Sequence, residues 1–244
     1  MRIGILQCDS VVPELQPLFG DYPEMFQRLL SEVDGELLYR TYNLPQGCFP
    51  ESLDECDAWL FTGSRRSVYE EEGWILRAQA LAARLHEERR PTVGICFGHQ
   101  LLARALGGRV EKAVQGWGLG VQSIQVLEKA AWMQPPAGEL ALLSSHRDQV
   151  TVLPEGAVLL AGNSFCPYAM YRVGDHILTF QAHPEFSKEY FRALVEHRRD
   201  RIGEANYKRA LASLANPTDE RIAARWIVNF LRMRVRTPDA RLVL

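Results

Sequence analysis

The sequence predicts an α/β fold built on a mainly parallel sheet covered on both faces. Three observations carry that expectation. In the first hundred residues, short apolar runs rich in β-branched residues alternate with amphipathic segments, a strand and helix rhythm that requires right-handed crossovers. These runs read as buried strands, as in a sheet covered on both faces. The chain has 244 residues, 47% of them hydrophobic, enough to bury a sizeable core.

The elements follow in order. "RIGILQ" from Arg2 reads as the first strand, Tyr22 to Ser31 as a helix, and "ELLYRTY" from Glu36 and "AWLFTG" from Ala58 as the next two strands. Trp74 to Glu88 is helical, with Ile75, Ala78, Leu81, Ala82 and Leu85 at helical spacing and the charges opposite. "TVGIC" from Thr92 is the fourth strand. From Gly120 to Gln181 the pattern changes to short strands separated by turn residues: "VQSIQV", "ALLSS", "AVLLAG", "YAMYRV" and "HILTFQ". They are expected to form an antiparallel addition to the same sheet. Ser187 to Arg199, Glu204 to Leu214 and Asp219 to Arg232 close the chain as helices, the last with Ile222, Trp226, Ile227 and Phe230 on one face. With no linker, repeat or low-complexity tract, residues 1–244 read as a single domain with a helical C-terminal part at 187–236. The tail after Thr237 is expected to be loose.

Composition narrows the function classes. The 28 Lys and Arg nearly balance the 30 Asp and Glu, for a net charge of −2, so the global basic excess of a nucleic-acid binder is missing. Arg198, Arg199 and Arg201 read as a solvated helix face, with a phosphate site as the alternative. Five cysteines without a CxxC pair suggest neither a zinc site nor a disulfide framework, and fit free thiols in a reducing cytoplasm. The polar Gln7 and Asp9 come too early for a signal peptide, and no apolar run approaches a membrane span. A soluble, cytoplasmic protein is expected.

One stretch demands chemistry. In "GICFG", Gly94 to Gly98, a strand ends at Cys96 and a helix begins at once, with a glycine two positions away on each side. A sharp strand-to-helix turn exposes a reactive side chain, and only glycine tolerates the crowding beside it. The helix start also offers unpaired N–H groups that favour a thiolate. A buried structural cysteine remains the alternative. A nucleophilic cysteine needs a base. His183 lies in "FQAHPEF", where Pro184 pushes it toward an extended conformation, so that His183 and Glu185 can point the same way. Glu185 would then fix the imidazole tautomer and stabilise its charged form. The alternative is a strand-end histidine beside a helix-capping acid.

"GICFGHQLLARALGG" together with "QAHPEF", "TGSRRSVYE" and "SSHRDQV" resembles the class I (triad) glutamine amidotransferase family, over most of the chain from the first strand to about Phe186. The resemblance implies a flavodoxin-like three-layer α/β/α fold and cysteine-dependent hydrolysis of a γ-glutamyl amide. It makes Cys96 the nucleophile, His183 the general acid and base, and Glu185 the group that orients it. The backbone N–H groups of Phe97 and of the Gly63 loop would form the oxyanion hole. Gln100, one helical turn after Cys96, would contact the glutamyl part of the substrate, and Ser145, His146 and Arg147 would hold its amino-acid end. Ammonia or an amine would leave first and glutamate second, with no metal or organic cofactor.

The sequence departs from ammonia-supplying members, which commonly carry Gly-Gly-Pro after the third strand. Here Gly63 is followed by Ser64, Arg65, Arg66 and Ser67. With His99 in "CFGHQ", this looks more like stand-alone relatives such as plant γ-glutamyl peptidases, and it makes His99, with Arg65 and Arg66, a candidate specificity residue. Arg65 and Arg66 would then contact a further substrate carboxylate, or else face solvent. Only helices follow the amidotransferase-like portion, so any ammonia-accepting synthetase is expected to be a separate protein. The leading expectation is an independent γ-glutamyl hydrolase or peptidase. The alternatives are a glutaminase subunit feeding a synthetase and a non-catalytic regulatory relative.

Overall fold

A computed structural model of the chain describes residues 1–235. Its strands are β1 (Arg2–Gln7), β2 (Leu38–Asn43), β3 (Ala58–Phe61), β4 (Thr92–Ile95), β5 (Arg109–Lys112), β6 (Gly118–Val126), β7 (Glu139–His146), β8 (Asp148–Val152), β9 (Ala157–Gly162), β10 (Met170–Val173) and β11 (Ile177–Phe180). Its helices are α1 (Gln16–Phe19), α2 (Tyr22–Ser31), α3 (Gly73–Glu87), α4 (Phe97–Ala105), α5 (Lys188–His197), α6 (Arg199–Ile202), α7 (Glu204–Ser213) and α8 (Glu220–Val235). The expected helical part at 187–236 thus corresponds to α5 through α8, and the tail after Thr237 lies outside the described residues.

Nine strands form one sheet in the order β2-β1-β3-β4-β11-β10-β9-β6-β7, and β5 pairs with β8 in a separate two-stranded sheet. The pairs β2-β1, β1-β3, β3-β4 and β4-β11 are parallel. The remaining pairs of the large sheet are antiparallel. This corrects one expectation. β11 is no part of a purely antiparallel addition: it runs parallel to β4, with Phe180 beside Ile95, and joins the two halves. All four of its residues are buried, and an apolar run of that kind gives no sign of which edge it pairs with.

The period of 2 along the strands divides the core. Ile3, Ile5, Leu60, Val93 and Ile95 share one cluster with Phe26 and Leu30 of α2 and Trp226, Ile227 and Phe230 of α8. Leu6, Trp59 and Phe61 belong to the opposite face, with Ile75, Ala78 and Leu85 of α3 and Leu101 and Leu102 of α4. Helices therefore cover both faces of the sheet. The start of α2 has a local cause: Asp21 and Glu24 form a reciprocal capping box ahead of an apolar face. Among the described residues, no helix is long and apolar enough to cross a membrane.

Candidate active site

Cys96 follows β4 directly and caps α4 with φ 52° and ψ −99°, a conformation that non-glycine residues avoid. Such a residue stores about 1–3 kcal/mol of backbone strain. The neighbours hold it there. Cys96 N–H donates to Phe180 O of β11 (2.8 Å) and Gly98 N–H to Thr62 O (3.2 Å). A Cβ on Gly94 would lie 2.6 Å from Gly98 O, and one on Gly98 would lie 2.6 Å from Phe61 O, so both glycines are required by close approach. Phe97 occupies the first position of α4, where its N–H has no intrahelical partner.

His183 lies three residues beyond β11 and is pinned by its N–H to Leu143 O of β7 (2.8 Å). Its ring stacks on Phe186 at 3.9 Å between centroids and 8° between planes. Its Nδ1 is 2.7 Å from Oε1 of Glu185, whose side chain is 0% exposed. Burial alone would lower the His183 pKa. The Glu185 carboxylate, hydrogen-bonded to the imidazole, and the nearby Cys96 side chain outweigh burial and raise it to about 10. Gly63 closes the group. A Cβ there would lie 2.8 Å from His183 Cε1 and 3.6 Å from Cys96 Cβ.

Cys96 opens onto a cleft of about 240 Å³ whose lining also includes Gln100, Ser145, His146 and Arg147, together with Arg65 and Arg66. His183 lines a small cavity that shares Ser64, Ser145 and Arg198 with the cleft. Gln100 Nε2 donates to Asp148 O (2.8 Å) and Gln181 Oε1 (3.0 Å). His146 is buried, its Nδ1 3.1 Å from Asp148 O, and burial pushes its pKa down to about 4.

Three expectations change. His99 does not reach the cleft. It is 0% exposed, with Nδ1 2.8 Å from Thr179 Oγ1 and its ring against Tyr171. Burial lowers its pKa to about 3, so it is a neutral core residue on the buried side of α4. Arg65 and Arg66 line the cleft but already have acidic partners: Arg65 pairs with Asp9 (3.4 Å), and Arg66 with Glu70 (3.3 Å) and Glu72 (3.0 Å). The arginine run, read as a solvated face, is split. Arg198 and Arg201 line the cleft, whereas Arg199 pairs with Glu204 (2.8 Å). The i, i+3 spacing of the two cleft arginines is the signal that could have separated them from Arg199. Phe186, Gln181, Asp148 and Trp117 also shape the site, although sequence reasoning assigns them no role. The first three lie inside the motifs quoted above, and Trp117 lies outside them.

Comparison with known proteins fits this geometry. Residues 47–197 match the family described as glutamine amidotransferase class-I. Gamma-glutamyl peptidase 3 of Arabidopsis thaliana is 30% identical over 197 residues, which is 78% of this chain and 78% of that protein. A GMP synthase (glutamine-hydrolyzing) subunit of Methanoculleus marisnigri is 36% identical over 98 residues, covering 40% of this chain and 53% of that one. The crystal structure of a glutamine amidotransferase from Thermotoga maritima superposes with a TM-score of 0.76 at 18% identity, over 97% of this chain and 99% of that one.

Proposed function

This chain belongs to the glutamine amidotransferase class-I family, and from that premise we propose that it is an independent γ-glutamyl hydrolase or peptidase using Cys96, His183 and Glu185. The observation that carries the reading is the meeting of a strained, helix-capping cysteine with an imidazole held 2.7 Å from a buried carboxylate. The Cys96 thiolate attacks the side-chain carbonyl carbon of the γ-glutamyl group, and the carbonyl electron pair moves onto oxygen. The Phe97 N–H and the backbone at Gly63 receive that oxyanion. His183, as imidazolium, gives its proton to the departing nitrogen as the C–N bond breaks, leaving a γ-glutamyl thioester. Water then attacks with His183 as base, the C–S bond breaks, glutamate departs and the thiolate–imidazolium pair is restored. Glu185 holds the ring and its charge throughout.

Gln100 uses both amide hydrogens within the protein. Its carbonyl oxygen is thereby the group offered to the substrate ammonium, while Ser145, His146 and Arg147 flank the same end of the substrate. Similarity to a protein named as a γ-glutamyl peptidase over most of both chains supports independent action. A second reading, a glutaminase supplying ammonia to a separate synthetase, is supported by the shorter similarity to a GMP synthase subunit. Five free cysteines support a reducing compartment such as the cytoplasm.

The deciding experiment follows amine, ammonia and glutamate release by the purified protein from glutamine and a panel of γ-glutamyl amides and peptides. Amine release from a γ-glutamyl peptide, lost in Cys96→Ala, is expected. Release of ammonia from glutamine only after a synthetase is added would favour the second reading, and unchanged turnover by Cys96→Ala would sink both.

A further inference from the structure

The charges that line the cleft are met in two different ways. Along Ser64 to Glu70, the cations and acids are matched. Besides the ion pairs of Arg65 and Arg66, Glu70 accepts from Ser67 N–H (2.7 Å), and Asp148 accepts from the Ser67 hydroxyl (2.5 Å). The rest of the lining carries Lys112, Arg147, Arg198 and Arg201. None of these four pairs with a carboxylate among the described residues. Arg198 is half-buried, and its guanidinium donates to Ser145 Oγ (3.2 Å). Arg201 lies over the Trp117 ring, 5.6 Å from its centroid. A guanidinium withdrawn from water without a counter-anion is costly, and its remaining N–H groups form a fork suited to a carboxylate.

Position says which part of a substrate meets this fork. Arg198 also lines the small adjoining cavity that contains His183 and Ser64. In the proposed reaction His183 delivers the proton to the departing nitrogen, so the departing amine emerges on this side. Both arginines lie beyond residues 47–197, the stretch that matches the family. We propose that Arg198, supported by Arg201, recognises a carboxylate carried by the amine that leaves, so that the enzyme selects γ-glutamyl amino acids and peptides over glutamine. This rests on the γ-glutamyl hydrolase reading and assigns its leaving-group specificity to residues outside the matched stretch.

The test separates the two claims by measuring binding and turnover independently. Calorimetry on Cys96→Ala, which cannot turn over, compares γ-glutamylglycine with γ-glutamylglycinamide, identical but for the carboxylate. The acid should bind about tenfold or more tightly than the amide, the effect of a charge-assisted hydrogen bond. Adding Arg198→Gln should remove most of that preference, Arg198→Lys should keep part of it, and Arg199→Gln, on the ion-paired outer face, should keep it all. Equal affinities in Cys96→Ala, or a preference that survives Arg198→Gln combined with Arg201→Gln, would overturn the proposal. Hydrolysis of both compounds by the unmodified enzyme without preference would sink the anion site and leave the hydrolase reading. Discrimination in binding with no hydrolysis of either would sink the hydrolase reading and leave the anion site. Failure to bind either compound would remove both.

Discussion

Glu185 is the residue through which the proposed chemistry is most sharply testable, because it acts on His183 alone. Its carboxylate is a principal reason that the imidazole stays charged despite burial. Glu185→Gln keeps the shape and a hydrogen-bond partner but removes the charge. The expected result is a fall in kcat of about 10²-fold or more with KM nearly unchanged. The alkaline limb of the kcat profile should also move to lower pH, since the imidazolium loses its proton sooner. An effect confined to KM would place Glu185 in the pocket instead. Gly63→Ala tests the geometry from the other side. A methyl group 2.8 Å from His183 Cε1 must displace the ring, so kcat should drop while the melting temperature changes little. That Cys96, His183 and Glu185 come together was legible because the motifs that place them are local; their catalytic roles are proposed. His99 was not. Every residue from Phe97 to Ala103 in α4 is buried, so no polar face tells which side looks into the cleft. Arg198 and Arg201 were legible only as a charge run, since whether an arginine meets an acid depends on distant parts of the chain.

At the scale of elements, the turn from β4 into α4 is held by close backbone approach on both sides of Cys96. Gly98→Ala would bring a methyl group to 2.6 Å from Phe61 O, where backbone must move, and a loss of about 1–3 kcal/mol is expected in denaturant unfolding. Activity should fall further than stability, because the shift passes directly to Cys96. A fully active, equally stable Gly98→Ala protein would contradict the packing described. The strands and helices of the parallel half agree with the sequence reading where each carries a long periodic or wholly apolar signal; β2, read as a buried strand, is instead an edge strand with one buried residue in six. β5 and β8 were missed for the opposite reason. β5 has one buried residue in four, and β8 begins inside a segment already read as a pocket motif. The parallel pairing of β11 was equally illegible, because pairing partners separated by six intervening strands leave no local trace.

Across the whole molecule, proton linkage should bound stability on both sides of neutrality. His99, His146 and His176 have folded pKa values lowered by burial from 6.5 to about 3, 4 and 4. Their contribution is complete above pH 6.5 and is lost as pH falls toward those values, because the unfolded chain takes up protons first. His183 has the opposite sign. Its raised pKa adds stability that is complete below pH 6.5 and is lost as pH climbs toward about 10. Thermal melts should therefore peak near pH 6.5, and His99→Gln should flatten the acid limb even if it lowers the maximum. A melting temperature that keeps rising from pH 6.5 to 9 would contradict the His183 assignment. The seam between β4 and β11 has a consequence for how the molecule acquires activity. Cys96 follows one strand of that seam and His183 follows the other, and everything from β5 to β10 is synthesised between them. Closing so long a loop is entropically late, so most of the parallel half can be compact while the proposed nucleophile and base are still apart. In refolding, turnover should reappear with the slowest structural phase and never ahead of it, which makes a first burst of product a clock for the last strand to dock.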